Sequence, residues 1–431
     1  MTKTETDTEI LKKEGSSSER LVKEGYKKTK LGWIPKDWDY DRIGDKIDLL
    51  TGYPFSSKDY SEKGIKLLRG ANIKRGFIDW ENGNTVFWEA QTEDLEKYLL
   101  KENDLVIAMD GSLVGRSYGQ IESCDLPAYV LQRVARIRSS KINIHFIKHI
   151  VSSKIFVNYC DSVKTVTAIP HISTKDIRRF KIPIPPLPEQ KKIADILSTW
   201  DRAIETLEQL ITKKEELKKG LMQQLLTGKK RFPGFVGEWS EVRFKDVVKI
   251  DAKSLNSKTS PDYEFEYISL SNVENGQISN DLEVYKFKDA PSRAKRIVSE
   301  GDILMATVRP NLQAFALAKK EHQGKIASTG FAVLNPKKGF NNKYLYHYLF
   351  SNHISSQIFA LIVGSNYPAI NSKDLKKLKI WMPPTKEEVD KIESVLTNID
   401  DEIKILMIQK ELVTVQKKGL MQQLLTGKTR V

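Results

Sequence analysis

One stretch of this chain occurs twice. Residues 218–231 read KKGLMQQLLTGKKR and residues 417–430 read KKGLMQQLLTGKTR, identical at thirteen of fourteen positions. Identity on that scale within one chain marks an internal duplication. It constrains the fold more than any other feature, because two similar units must be able to fold on one plan. Each copy closes a long amphipathic segment. Each unit also opens on a short tryptophan-containing lead-in, Leu31-Gly32-Trp33-Ile34-Pro35-Lys36-Asp37-Trp38 in the first and Phe232-Pro233-Gly234-Phe235-Val236-Gly237-Glu238-Trp239 in the second.

The middles of the two units have diverged but still align. Arg69-Gly70-Ala71-Asn72-Ile73 stands opposite Leu270-Ser271-Asn272-Val273, and Asn103-Asp104-Leu105 opposite Gly301-Asp302-Ile303, each of the latter a turn feeding an apolar strand. Ile169-Pro170-His171-Ile172 stands opposite Tyr367-Pro368-Ala369-Ile370. The expected organisation is a mobile, polar tail at 1–30, a mixed α/β globule at 31–185, a helix at 186–231, a second globule at 232–382 and a second helix at 383–431.

Both long segments follow prolines. Pro188 and Glu189 suit a first helical turn, and Thr385 with Glu388 has the pattern of a capping box. Apolar residues then recur in steps of four and three: Ile193, Leu197, Trp200, Ile204, Leu207 and Ile211 in the first, and Ile392, Leu396, Ile399, Ile403 and Leu406 in the second. That spacing is a coiled-coil seam. The simplest partner for one helix is the other, as an antiparallel pair holding the globules apart. The expected fold class is therefore α+β: two mixed α/β domains joined by two long helices, with an internal pseudo-two-fold repeat. Lys214, Lys218, Lys410 and Lys417 fall on the seam, so either the register shifts before Leu221 and Leu420 or these side chains snorkel outward. Gly220 and Gly419 inside the helices fit either close approach of another helix or a mild kink or early helix end.

Charge narrows the partners. The chain carries a formal net charge of +14 with 70 Lys and Arg against 56 Asp and Glu. A surplus of this size suits a polyanion, nucleic acid first. Two cysteines, Cys124 and Cys160, make no disulfide framework, and no apolar run is long enough to span a bilayer. A cytoplasmic setting without a membrane partner is the expectation.

Motifs for catalysis are missing. Thr426-Gly427-Lys428-Thr429 imitates the end of a phosphate-binding loop, but the glycine needed five residues earlier is Gln422, and a helix precedes it instead of a strand. Gly228 and Gly427 read as helix caps. His145 and His149 are spaced for one helix face, yet Phe146 stands where a zinc protease needs glutamate. Pro261-Asp262 has no lysine at the spacing of a nuclease site. No metal or catalytic residue is assigned. Polar and basic groups cluster in the loops of both middles: Arg116, Ser117, Arg133, Lys164, Thr165, His171, Ser173 and Lys175 in the first, Arg309, Asn311, Ser365, Asn366, Asn371 and Lys373 in the second. These residue types read base edges and grip phosphates, and they also make ordinary solvated loops.

The run Pro186-Leu187-Pro188-Glu189-Gln190-Lys191-Lys192-Ile193-Ala194, followed by heptads and the Leu-Met-Gln-Gln-Leu-Leu-Thr-Gly ending, resembles the helical region of specificity subunits of type I restriction–modification enzymes. The resemblance covers about 31–431, and the second copy departs from it at Thr385-Lys386-Glu387-Glu388. It implies a non-catalytic reader of double-stranded DNA. Each globule would be a target recognition domain for one half of a split, asymmetric site. The helices would set the spacer and dock two copies of the modification (methyltransferase) subunit. A restriction/translocase subunit would complete the nuclease, with S-adenosylmethionine, ATP and Mg²⁺ bound by those partners and no cofactor by this chain. A fused nuclease–methyltransferase, or a coiled-coil scaffold whose charge serves RNA or solubility, are the alternatives from other classes. The missing motifs speak against the first.

Overall fold

The computed structural model of the chain describes residues 24–81, 85–89, 91–274, 276–362 and 368–431. The chain forms two compact units, one from residues up to 206 together with 410–431, the other from 207–409. Each long helix therefore contributes to both: Leu187–Leu225 begins in the first unit and Lys386–Leu424 begins in the second.

The first unit starts earlier than its sequence suggests. Tyr26–Thr29, expected within the tail, pairs antiparallel with Gly32–Pro35, and the Thr29 hydroxyl donates to the Gly32 carbonyl at 2.9 Å to close the turn. Its main sheet runs Asp48–Thr51, Val134–Arg138, Leu105–Ala108, Tyr118–Gln120, Arg75–Gly76. A three-stranded sheet, Ala128–Val130, Ile65–Leu68, Val86–Trp88, lies alongside in the chain order, its first pair parallel. The second unit repeats the plan. Val248–Ile250, Phe331–Pro336, Ile303–Ala306 and Phe315–Leu317 form one sheet, and Glu283–Lys286, Glu264–Ile268, Ile326–Ser328 and Ala294–Ile297 the other. Glu264–Ile268 and Ile326–Ser328 reproduce the parallel pair. Leu105–Ala108 and Ile303–Ala306 are buried at every position, as central strands must be when both faces are covered.

Two short helices follow each main sheet. Asn143 caps Ile144–Ser152 by accepting from the Phe146 amide, and Asn341 caps Asn342–Leu349 by accepting from the Tyr344 amide, both at 3.0 Å. Their apolar faces join the unit's core.

The long helices complete these cores. In the first unit Ile193, Ala194 and Leu197 share a cluster with Met421, Leu424 and Leu425 from the end of the other helix. In the second, Val389, Ile392 and Leu396 share one with Met222, Leu225 and Leu226. Each such buried side chain contributes about 1.5–3 kcal/mol over an exposed one. The start of one helix thus packs beside the end of the other in each unit, an antiparallel arrangement. Three of the seam lysines turn to carboxylates on the facing helix: Lys417 to Asp201 in the first unit, Lys218 to Asp400 at 2.6 Å and Lys214 to Glu402 in the second. A Cβ added at Gly220 or Gly419 would meet nothing within 4 Å among the described residues, and both helices run on past these glycines. Gly228 and Gly427 follow the helix ends in left-handed conformation, φ 68° and 65°. The Thr385 hydroxyl accepts from the Glu388 amide at 3.3 Å, but the Glu388 carboxylate completes no capping box: both its oxygens take Arg231, at 2.7 Å.

Candidate nucleic-acid interface

In the first unit the strand Leu105–Ala108 runs out into a loop that crosses the segment before Thr174–Arg179. Three backbone bonds fix the crossing: Met109 N–H to the Arg133 carbonyl at 2.9 Å, Gly111 N–H to Pro170 at 3.0 Å, and Ile172 N–H to Met109 at 2.9 Å. The second unit repeats all three, Thr307 to Gly330 at 2.8 Å, Arg309 to Pro368 at 2.7 Å and Ile370 to Thr307 at 2.9 Å. Position by position, Asp110 thus corresponds to Val308, Gly111 to Arg309, Arg133 to Gly330 and His171 to Ala369.

Around this crossing the first unit has two adjoining concavities. One, of about 370 Å³, is lined by Asp110, Arg133, Thr165, Thr167, Ile169 and His171. The other, of about 510 Å³, is lined among others by Arg69, Lys74, Ser112, Gln132 and again Asp110 and Arg133. Arg133 stands between them with φ 66°, its side chain 62% exposed and its Nη1 donating to Asp110 at 3.1 Å. A guanidinium beside polar groups at an open rim can meet a phosphate or the edge of a base.

Of the residues the sequence singles out, Arg133, Thr165 and His171 come together here. Thr165 accepts the His171 amide at 3.0 Å and so shapes the rim. Arg116 and Lys164 do not join them. Both are taken by Asp161, Arg116 at 2.7 and 3.2 Å and Lys164 at 2.6 Å. Arg116, the larger influence, and Lys164 hold the Asp161 carboxyl down at about 2. Ser117 is buried. Ser173 and Asn371 are helix caps, accepting from the Asp176 amide at 3.2 Å and from the Lys373 and Asp374 amides at 2.9 Å. Lys175 and Lys373 lie exposed on those same short helices. Arg309 and Asn311 are exposed on the second unit's crossing loop, and Arg309 has φ 48°. Ser365 and Asn366 lie outside the described residues. Sequence reasoning missed Arg69, Lys74, Asp110 and Gln132. Arg69 sits in a segment that aligns between the units, and that alignment was the available signal.

The helix-seam residues divide by position. Ile193, Leu197, Ile392, Leu396, Ile399 and Ile403 are buried. Trp200, Ile204, Leu207, Ile211 and Leu406 are half-buried. Beside the seam each unit buries a histidine. His149 Nε2 lies 3.1 Å from the Ser198 hydroxyl with Nδ1 3.8 Å from Asp201, the acid paired to Lys417. His347 Nε2 lies 3.0 Å from Thr397 with Nδ1 3.6 Å from Asp400, the acid paired to Lys218. Burial pushes both imidazoles down to about 3; at His149 it outweighs Asp201, and at His347 Lys218 and Lys343 act in the same direction as burial. Among the described residues no group of His, Cys, Asp and Glu could hold a metal ion, and no helix is long and apolar enough to cross a membrane.

The family model described as type I restriction modification DNA specificity domain matches twice, at residues 35–219 and 237–414. The MjaVIII type I restriction enzyme specificity subunit of Methanocaldococcus jannaschii is 27% identical over 92% of this chain and 94% of its own. The EcoAI specificity subunit of Escherichia coli is 32% identical over 48% of this chain and 37% of its own. The crystal structure of a type I restriction–modification S subunit from M. genitalium matches the fold with a TM-score of 0.58 at 16% identity, over 91% of this chain and 96% of that one.

Proposed function

Since the chain belongs to the type I restriction modification DNA specificity family, we propose that it reads a two-part sequence in double-stranded DNA, one part with each unit, for methyltransferase subunits docked on its long helices. The observation that carries this reading is the pair of crossings: one backbone plan, with different side chains at equivalent positions. Asp110, Arg133 and His171 in the first unit hold the positions that Val308, Gly330 and Ala369 hold in the second. Readers with different donors and acceptors select different bases, so the target is asymmetric. The net charge of +14 supports phosphate binding on either side of those contacts.

Two modification subunits use the helices. Ile405, Ile408, Leu412 and Val415 recur in steps of three and four and are each more than half exposed, a stripe suited to another helix. S-adenosylmethionine, ATP and Mg²⁺ belong to the modification subunit and to a restriction/translocase subunit, in the cytoplasm. The long helices set the distance between the two parts of the target.

The test is a domain exchange. Replacing residues 40–184 by the corresponding region of a relative, with the chain expressed beside its modification subunit, changes one half of the methylated sequence and leaves the other intact. A change in both halves would mean the units are not independent readers.

A further inference from the structure

Two arginines adopt a backbone conformation that disfavours any residue with a Cβ. Arg133 has φ 66° and Arg309 has φ 48°. They do not occupy equivalent positions. Arg133 corresponds to Gly330 of the second unit, and Arg309 to Gly111 of the first, which has φ 98°. The two units therefore place the same pair, one arginine and one glycine, on the two segments of the same crossing, with the assignment reversed. At the Gly111/Arg309 position both units are left-handed, so glycine suits the backbone and Arg309 is strained and exposed. At the other position Arg133 alone is left-handed, while a side chain on Gly330 would meet Leu270 at 2.8 Å. The backbone does not call for arginine at either place, so the side chain itself is what the position supplies.

We infer that Arg133 and Arg309 are the specificity-determining residues of the two units, each reading a guanine in its half of the target. This deepens the DNA-reading function proposed above and rests on it. The planar guanidinium matches the O6 and N7 acceptors of guanine in the major groove, a pairing that an ammonium group cannot reproduce in two parallel bonds. In the first unit Asp110 engages one guanidinium nitrogen at 3.1 Å and orients the plane. The counterpart of Asp110 in the second unit is Val308. Because the arginines stand on different segments, the two guanines occupy different places in their half-sites.

The experiment maps methylated bases in a random-sequence DNA library treated with the full chain assembled with its modification subunit. It compares the wild type with Arg133→Gly, Arg309→Gly and the charge-preserving Arg133→Lys. Glycine relieves the backbone strain, so both glycine variants keep or raise the thermal midpoint. Arg133→Gly should relax one G·C position in one half of the motif by roughly 5- to 150-fold in discrimination. Arg309→Gly should do the same in the other half, and Arg133→Lys should relax the same position as Arg133→Gly. An unchanged motif in the folded glycine variants overturns the assignment, as does relaxation at an A·T pair. So does a uniform loss of methylation across all sequences, which is the signature of a phosphate contact. A wild type that methylates without any two-part motif instead sinks the underlying reading of two half-sites.

Discussion

Arg430 closes on Glu189, 241 residues earlier in the chain, through two charge-assisted hydrogen bonds of 2.7 and 2.8 Å. The same carboxylate accepts the Trp38 indole at 3.0 Å, and the same guanidinium grips Asp37 at 2.8 and 2.9 Å. The second unit repeats the core of this arrangement with Arg231 and Glu388. Lead-in, helix start and helix end are tied together at one knot in each unit.

Removing that guanidinium leaves Glu189, only 6% exposed, with the indole alone. Arg430→Ala should destabilise the first unit by about 1–2 kcal/mol, below the range for a fully buried pair because Arg430 is partly exposed. Hydrogen exchange is the measurement. Amides of the helix beginning at Leu187 should exchange faster, while those of the helix beginning at Lys386 should not change.

The buried histidines give a pH dependence. Their folded values near 3 lie below the ordinary 6.5, so the unfolded chain binds more protons between those limits. Stability is therefore full above about pH 6.5 and is lost as pH falls toward 3. At pH 5 the loss is roughly 2 kcal/mol per histidine. Urea midpoints measured from pH 7.5 to 5 should fall steeply for the wild type and less for His149→Gln with His347→Gln. Equal slopes would show that the imidazoles are not the protons taken up.

A charge on the exposed stripe should block docking. Leu412 is 57% exposed, so Leu412→Glu should leave the chain's thermal midpoint within about 0.5 kcal/mol of wild type in stability. Its modification subunit should no longer copurify with it. Retained copurification would move the docking surface elsewhere.

Spacing is tested by insertion. Four residues added after Thr212 lengthen the helix by about 6 Å and add a little over one turn. If the helix transmits that to the unit beyond it, the preferred spacer shifts by about one or two base pairs at 3.4 Å each. Methylation of a library of spacer lengths reads the result. A folded, partner-bound mutant that keeps the original spacing would leave the helices as a docking surface only.

Much of this architecture is legible in the residues because it is written twice. The repeat at 218–231 and 417–430, the prolines before Leu187 and Lys386, and the match of Pro170 with Pro368 each follow from local sequence. The seam lysines are less legible. Their fate depends on Asp201, Asp400 and Glu402 of the facing helix, and on a register that spacing alone leaves open. The interface is least legible. Arg116 and Lys164 have the chemistry of DNA contacts, but the helix Lys154–Val163 brings Asp161 to both of them. Asp110 looks like an ordinary loop acid until the crossing sets it against Arg133.

The sharing of both long helices between the units has a consequence for synthesis. The first unit is built mainly from residues up to 206, yet its core includes Met421, Leu424 and Leu425. A ribosome must translate the whole second unit before those side chains exist. At about 5–20 residues per second, the 225 residues after 206 take on the order of 10–45 s. During that interval the nascent first unit exposes the apolar faces of Ile193 and Leu197, a site for chaperone binding. A chain cut short by premature termination before residue 421 would keep the whole five-stranded sheet of the first unit and lack the residues that seal it.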